Sequence, residues 1–220
     1  MKSDITVAVI TGGHSFDIPN FHVLIRGLSG VDCYIQHLED FVSDAGKVRD
    51  TYDVLLFYMM PQPYPPAENE KGWERGIIPA LKTLGTTRQG IFFLHHAILA
   101  YWDWGFLSSI VGIRNRHVDE THDDLSMLVE VVDPFHPITA GLTQWEIVDE
   151  GYVMDEPDAE GNVVLLRVDH PKSMRAIAWT RQFLCSRVFC LELGHDRAAW
   201  MNPNFKLVVE RGIHWCAGAH

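Results

Sequence analysis

Three segments of this 220-residue sequence that read as strands end in histidine. Ile5–Thr11 leads into Gly12-Gly13-His14, Gly90–Leu94 into His95-His96, and Ser186–Leu193 into Gly194-His195-Asp196. Imidazole titrates near neutral pH, so it can take up and return a proton during a reaction, and its neutral ring binds metal ions. With twelve histidines in the chain, one such ending carries little weight. Three, two of them behind glycine, form a pattern. Asp196 beside His195 could orient that ring or bind a hydroxyl group. Packing is the competing explanation. His14 could simply cap the first helix, and one of His95 and His96 could be a hydrogen-bonded core residue.

The surrounding elements give these ends a reason to meet. Gly90–Leu94 and Tyr52–Met60 are continuously apolar, as in strands of a parallel sheet covered on both faces. In such open α/β sheets, ligands sit outside the carboxyl ends of the strands. The expected fold is therefore α/β, one domain over 1–220, with a flavodoxin-like three-layer order and a central, mostly parallel sheet. Ile5–Thr11, Tyr52–Met60 and Gly90–His95 should be parallel neighbours in it. Asp17 and Pro19 open a helix that runs to about Leu28, and Val31–Leu38 alternates enough to lie nearer an edge. Pro61–Pro66 holds four prolines and is a crevice wall, followed by a helix over Glu70–Leu84. Ile98–Ile110 is helix-compatible, and Trp102 and Trp104 within it could stack on a sugar face or pack on the sheet.

The second half changes character. Arg114–Asp124, which includes His117, reads as a charge-dense loop covering the crevice. Leu128–Val132, Gln144–Met154, Val163–Val168 and Met174–Trp179 read as an antiparallel elaboration on the sheet edge, with a turn at Asp133–Ile138. Pro203–Ala217 is an amphipathic helix with Phe205, Val208, Val209, Ile213 and Trp215 on its apolar stripe.

Composition narrows the functional classes. A formal charge of −11 argues against nucleic acid and anionic membranes as partners. No apolar run reaches the ~20 residues of a membrane span. Met1-Lys2-Ser3-Asp4 leads directly into a strand, leaving no room for a signal peptide. Cys33, Cys185, Cys190 and Cys216 form no CxxC pair and read as buried free thiols, which points to the cytoplasm.

Several of these stretches together resemble the ThuA-like, or trehalose-utilisation, family, which is related in fold to class I glutamine amidotransferases. They are Thr11–Asp17, Tyr52-Asp53-Val54, Leu94-His95-His96-Ala97, Asp133–Leu142, Asp149-Glu150-Gly151-Tyr152, Leu193-Gly194-His195-Asp196 and Asn202-Pro203. The resemblance implies a class I glutamine amidotransferase-like fold and an association with disaccharide catabolism. It also exposes a departure. Amidotransferases carry a nucleophilic cysteine at the strand-to-helix turn where this chain has His95-His96, so glutamine hydrolysis through a thioester is not expected.

Three readings of function follow. The first is an enzyme acting on an oxidised sugar, a keto-glycoside or disaccharide, by isomerisation or elimination. His96 would be its general base and His195, supported by Asp196, its acid, with His95 beside them; Gly13, His14, Trp102, Trp104 and His117 would contact substrate. The second is a hydrolase or lyase using a divalent metal such as zinc on His14, His96 or His195. The third is a carbohydrate-binding module without chemistry. A small-molecule sugar is the partner expected in each, and a homo-oligomer is left open.

Overall fold

The structure, a computed structural model, describes residues 4–67 and 71–218. Its first half comprises β1 (Ile5–Gly12), α1 (Ile18–Arg26), β2 (Val31–His37), α2 (Leu38–Ser43), β3 (Val54–Met59), α3 (Ile77–Leu81), β4 (Gly90–Leu94) and α4 (Gly105–Val111). The second comprises β5 (Val118–Val131), β6 (Trp145–Met154), β7 (Asn162–Arg167), β8 (Ala176–Phe183), β9 (Ser186–Leu191), α5 (Arg197–Trp200) and α6 (Pro203–Cys216). The nine strands form one sheet in the order β2-β1-β3-β4-β9-β8-β7-β5-β6. β2, β1, β3, β4 and β9 run parallel, and β8, β7, β5 and β6 continue the sheet antiparallel.

Every residue of β3 and β4 is buried, because helices cover both faces of the parallel part. Alternation along β1 divides the core in two. Val7 and Val9 pack with Phe21, Leu24, Val208 and Ile213 on one face. Ala8 and Ile10 pack with Phe41, Leu81 and Leu107 on the other. Since β1, β3, β4 and β9 are parallel neighbours, their carboxyl ends open on one edge, and the histidines that follow three of them come together there.

The Gly12-Gly13 turn needs its glycines for space as well as conformation. Gly13 has φ +73, and a Cβ there would lie 2.5 Å from the Pro61 nitrogen and 2.7 Å from the Met60 carbonyl carbon. Both are backbone atoms of the proline-rich wall, which cannot swing aside. Gly13→Ala is expected to cost at least ~2 kcal/mol, a left-handed penalty plus the overlap. Urea unfolding that gave wild-type stability would show that the wall yields.

Some elements differ from expectation. The helix over Glu70–Leu84 shrinks to a 3-10 turn at Trp73–Gly76 and α3, because Gly72, Gly76 and Pro79 interrupt it; Glu70 lies outside the described residues, as do Met1, Lys2 and Ser3. Ile98–Ile110 is split between a 3-10 turn at His95–Leu99 and α4. The expected loop at Arg114–Asp124 is largely strand. β5 starts at Val118 and pairs with β6 through Thr121↔Tyr152 and His122↔Gly151, with an irregularity before Leu125. This end of the ribbon buries few side chains, so no hydrophobic alternation marks it. Among the cysteines, Cys190 and Cys216 are buried, Cys33 is half-buried and Cys185 is exposed in the β8–β9 turn, which corrects the reading of four buried thiols. Among the described residues, no helix is long and apolar enough to cross a membrane.

Candidate functional site

At the carboxyl end of β4 the chain is forced into a sharp turn. His95 takes φ +55, a left-handed conformation that costs an ordinary residue ~1–3 kcal/mol. Strained strand-to-helix turns of this kind hold a side chain out over the sheet edge, where catalytic nucleophiles are found in other α/β enzymes. The exit from the turn is tied down by Arg116, which is fully buried. Its guanidinium donates to the carbonyls of Ile98 (3.0 Å), Ala100 (2.7 Å), Tyr101 (2.7 Å) and Trp104 (3.4 Å) and to Ser108 Oγ (3.0 Å).

The buried His95 ring is oriented by two opposed sets of partners. Its Nδ1 lies 2.6 Å from the Glu192 carbonyl oxygen. A carbonyl only accepts, so Nδ1 carries the proton and, in the neutral ring, Nε2 carries a lone pair. Nε2 faces the Tyr152 hydroxyl at 2.8 Å, Glu150 Oε2 at 3.1 Å and His195 Nδ1 at 3.2 Å. Glu150 Oε2 and His195 Nδ1 are 3.3 Å apart. Three side chains from β4, β6 and the end of β9 thus converge on one point.

Buried Asp149 holds that convergence in place. Its carboxylate accepts from the backbone N–H groups of Gly194 (2.7 Å), His195 (3.0 Å) and Glu150 (2.9 Å), linking β6 to the turn after β9. From the other side, Tyr58 donates to the carbonyls of Gly194 and His195, and Trp200 Nε1 to that of Gly194.

His14 and His96 complete the group from the neighbouring edge. Their ring centroids are 4.6 Å apart, and the His14 ring lies 6.5 Å from that of His195. His96 is packed against Tyr58 at 4.3 Å, and neither of its nitrogens meets a hydrogen-bond partner among the described residues. Burial, reinforced by His95 and His14, pushes its pKa down to about 2. Burial and the neighbouring His95 and His195 also lower that of His14. His195 moves the other way, raised by the hydrogen bond to Glu150. For Glu150, burial acts upward, but contact with the His195 and His95 rings outweighs it and keeps the carboxyl well below its usual range. Buried Glu192 is pushed well above that range, by burial first and by Asp149 next.

The His96 shift has a consequence for stability. Below pH 6.5 an unfolded His96 takes a proton that the folded ring refuses until about pH 2. Stability is therefore complete above pH 6.5 and declines as pH falls through that window, by on the order of 2 kcal/mol at pH 5. Urea unfolding at pH 7.5 and pH 5 should show this loss shrink in His96→Phe; an unchanged loss would assign it to other groups.

The residues singled out from sequence separate into groups. His14, His95, His96 and His195 come together. Asp196 does not orient His195: its Oδ1 caps α5 by accepting from the Ala198 N–H at 2.7 Å, and the carboxylate on the His195 ring is Glu150. Trp104 is buried in the core rather than offered to a sugar. Trp102 and exposed His117 make an edge contact at 5.2 Å and line a different cleft of about 380 Å³, which none of the four histidines borders. Gly13 lines a third, with His37, Trp73 and Tyr101. Glu150 and His195 open into a cleft of about 220 Å³ lined also by Asp123, Asp124, Val148, Asp149 and Asp196, with His95 buried behind them. Sequence reasoning assigns no role to Glu150, Asp149 or Tyr152. The signal was in β6, where Trp145, Ile147 and Asp149 alternate inward: a carboxylate stands where a core residue should.

His14, His96 and His195, the set the sequence offers for a metal, do not bring their nitrogens together within 4.8 Å. Among the described residues, His95, Glu150 and His195 are the group of three whose ligand atoms lie within 4.8 Å of one another.

The nine-stranded sheet and the histidine-bearing turn at the carboxyl ends of its parallel strands define an α/β protein with a candidate site on that edge. The chain belongs to the ThuA family, described as trehalose utilisation, which it matches over residues 46–216. That description ties the family to a sugar-related role. Among solved structures, a protein from Parabacteroides merdae described as ThuA-like shares 18% identity at a TM-score of 0.76, over 98% of this chain and 91% of that one. One from Bacteroides uniformis, described likewise, shares 17% at 0.70, over 98% and 93%. A GMP synthase-type protein from Thermoplasma acidophilum shares 10% at 0.59, over 98% and 95%. At these identities the likeness is one of fold. No curated protein matches the sequence.

Proposed function

We propose that this protein is an enzyme of sugar catabolism that moves a proton at the carbon beside a ketone on a keto-glycoside or keto-disaccharide, leading to isomerisation or to loss of the glycosidic oxygen. The observation that carries the reading is a pair of histidines whose surroundings push their proton affinities apart. His14 is favoured neutral, and His195, against Glu150, is favoured charged. Such a separation between neighbouring groups is how one site supplies base and acid at the same pH.

In this mechanism neutral His14 takes the proton from carbon. Charged His195, oriented by Glu150, donates to the oxygen on which negative charge develops. The centres of the two rings lie 6.5 Å apart, so both groups stand on the same edge of the sheet. His96, buried against Tyr58 and His14 and held neutral, does not serve as the base. The reading places the enzyme in a reducing compartment such as the cytoplasm, consistent with the four free thiols.

The test is turnover of 3-keto-glycosides by wild type and by His14→Gln. His14→Gln is expected to lower kcat by ~10²-fold with little change in KM, as loss of a general base does. Equal kcat in the variant would remove His14 from the mechanism.

A further inference from the structure

We propose that His95 Nε2, Glu150 Oε2 and His195 Nδ1 form a binding site for one divalent transition-metal ion of the zinc, cobalt or iron class. The inference concerns the same centre as the reaction above but does not depend on the sugar assigned to it.

The distances carry the proposal first. The three ligand atoms are 3.1, 3.2 and 3.3 Å apart, a nearly equilateral triangle. Around an ion with bonds of ~2.0 Å, tetrahedral ligands stand about 3.3 Å from one another; around an octahedral ion with ~2.1 Å bonds, adjacent ligands stand about 3.0 Å apart. The triangle is thus one face of either polyhedron, and two histidines with one carboxylate are a known ligand set for both geometries, with positions left open.

The hydrogen-bond pattern around His95 is the second observation. His95 Nδ1 donates to the Glu192 carbonyl, so Nε2 of the neutral ring is a lone pair. Glu150 Oε2 stands 3.1 Å from it and 3.3 Å from His195 Nδ1. That lone pair meets the Tyr152 hydroxyl at 2.8 Å and Glu150 Oε2 at 3.1 Å, so an ion would take the place of the hydroxyl proton on Nε2. The hydroxyl proton satisfies Nε2 alone, whereas a divalent ion would satisfy all three atoms.

The supports are those of a metal centre. The Nδ1–H to carbonyl bond on His95 fixes ring and tautomer, as partners behind metal-bound imidazoles do. Asp149 clamps the backbones that carry the other two ligands. Asp123, Asp124 and Asp196 line the approach and favour a cation over an anion. An ion here would take over from His195 the stabilisation of the developing oxyanion; His14 lies outside the ligand set and would keep the proton on carbon.

The experiment is titration of tag-free, EDTA-stripped protein with Co²⁺ and then Zn²⁺, followed by calorimetry and visible absorption with no sugar present. One ion per chain is expected, with cobalt ligand-field bands that zinc abolishes. Glu150→Gln and His195→Ala should each weaken binding by at least ~100-fold, while Asp123→Asn changes it less than tenfold. Circular dichroism checks folding, and if Glu150→Gln fails to fold, His195→Ala, at a half-buried ring, decides. Absence of one-to-one binding, or wild-type affinity in the folded variants, would overturn the site. Because no substrate is used, neither outcome bears on which sugar is turned over; a bound ion would replace His195 as the group that stabilises the oxyanion and leave His14 as the base.

Discussion

Glu150→Gln should lower turnover of a keto-glycoside by about 10²-fold, within what acid–base groups contribute, with the fold retained. The side chain changes by one atom, yet three things are lost together. His195 loses the carboxylate that favours its charged form, so less of it can donate at neutral pH. The carboxamide can turn an N–H toward His195 Nδ1, which disfavours the tautomer that the carboxylate selects. The acceptor opposite His95 Nε2 is weakened as well, and with it any cation held there. Steady-state kinetics over a pH series decides the matter. The variant should show its loss in kcat, and the limb that reports His195 should move to lower pH as that ring relaxes toward an ordinary histidine. A variant within tenfold of wild type would mean that Glu150 is structural.

Arg116→Met is expected to destabilise the protein by about 3–5 kcal/mol, a drop in Tm on the order of 10 °C for a chain of this size. Methionine fills much of the volume and removes a buried charge, which by itself would be favourable. Against that, the carbonyls of Ile98, Ala100, Tyr101 and Trp104 and the Ser108 hydroxyl lose their donor inside the core. Unsatisfied buried groups cost ~1–3 kcal/mol each, so the carbonyls outweigh the charge. Arg116→Lys should recover only part of the loss, since one ammonium cannot reach five acceptors spread around a planar fork. Calorimetric scans of the two variants check the ranking; Met equal to wild type would mean that the segment re-forms its hydrogen bonds elsewhere.

The parallel half was legible because its code is hydrophobic. Tyr52–Met60 and Gly90–Leu94 are short, continuously apolar runs, the pattern of strands covered on both faces, and in a parallel sheet the polar residues that end them lie on one edge. The paired histidines at that edge marked the centre. What stayed hidden had a physical reason in each case. Arg116 stood in a run of charges that looked solvated, and nothing local reveals a guanidinium folded inward over carbonyls 12 to 18 residues earlier. Glu150 approaches His195 across 45 residues of antiparallel ribbon, so its partnership is set by the register of β6 and not by spacing. Asp196 adjoins His195 in sequence but turns away to cap a helix, the ordinary use of an aspartate at a helix start. Adjacency in the chain was the misleading cue, and alternation in β6 the informative one.

Proton movement on carbon is the claim on which the reading of this site rests, and one measurement reaches it directly. A 3-keto-glycoside incubated with the protein in D₂O, followed by proton NMR, should lose the signal of the hydrogen beside the ketone as deuterium replaces it. That loss should slow by ~10²-fold in His14→Gln and in His195→Gln. Conversion of the substrate with that hydrogen fully retained, at the same rate in both variants, would contradict it.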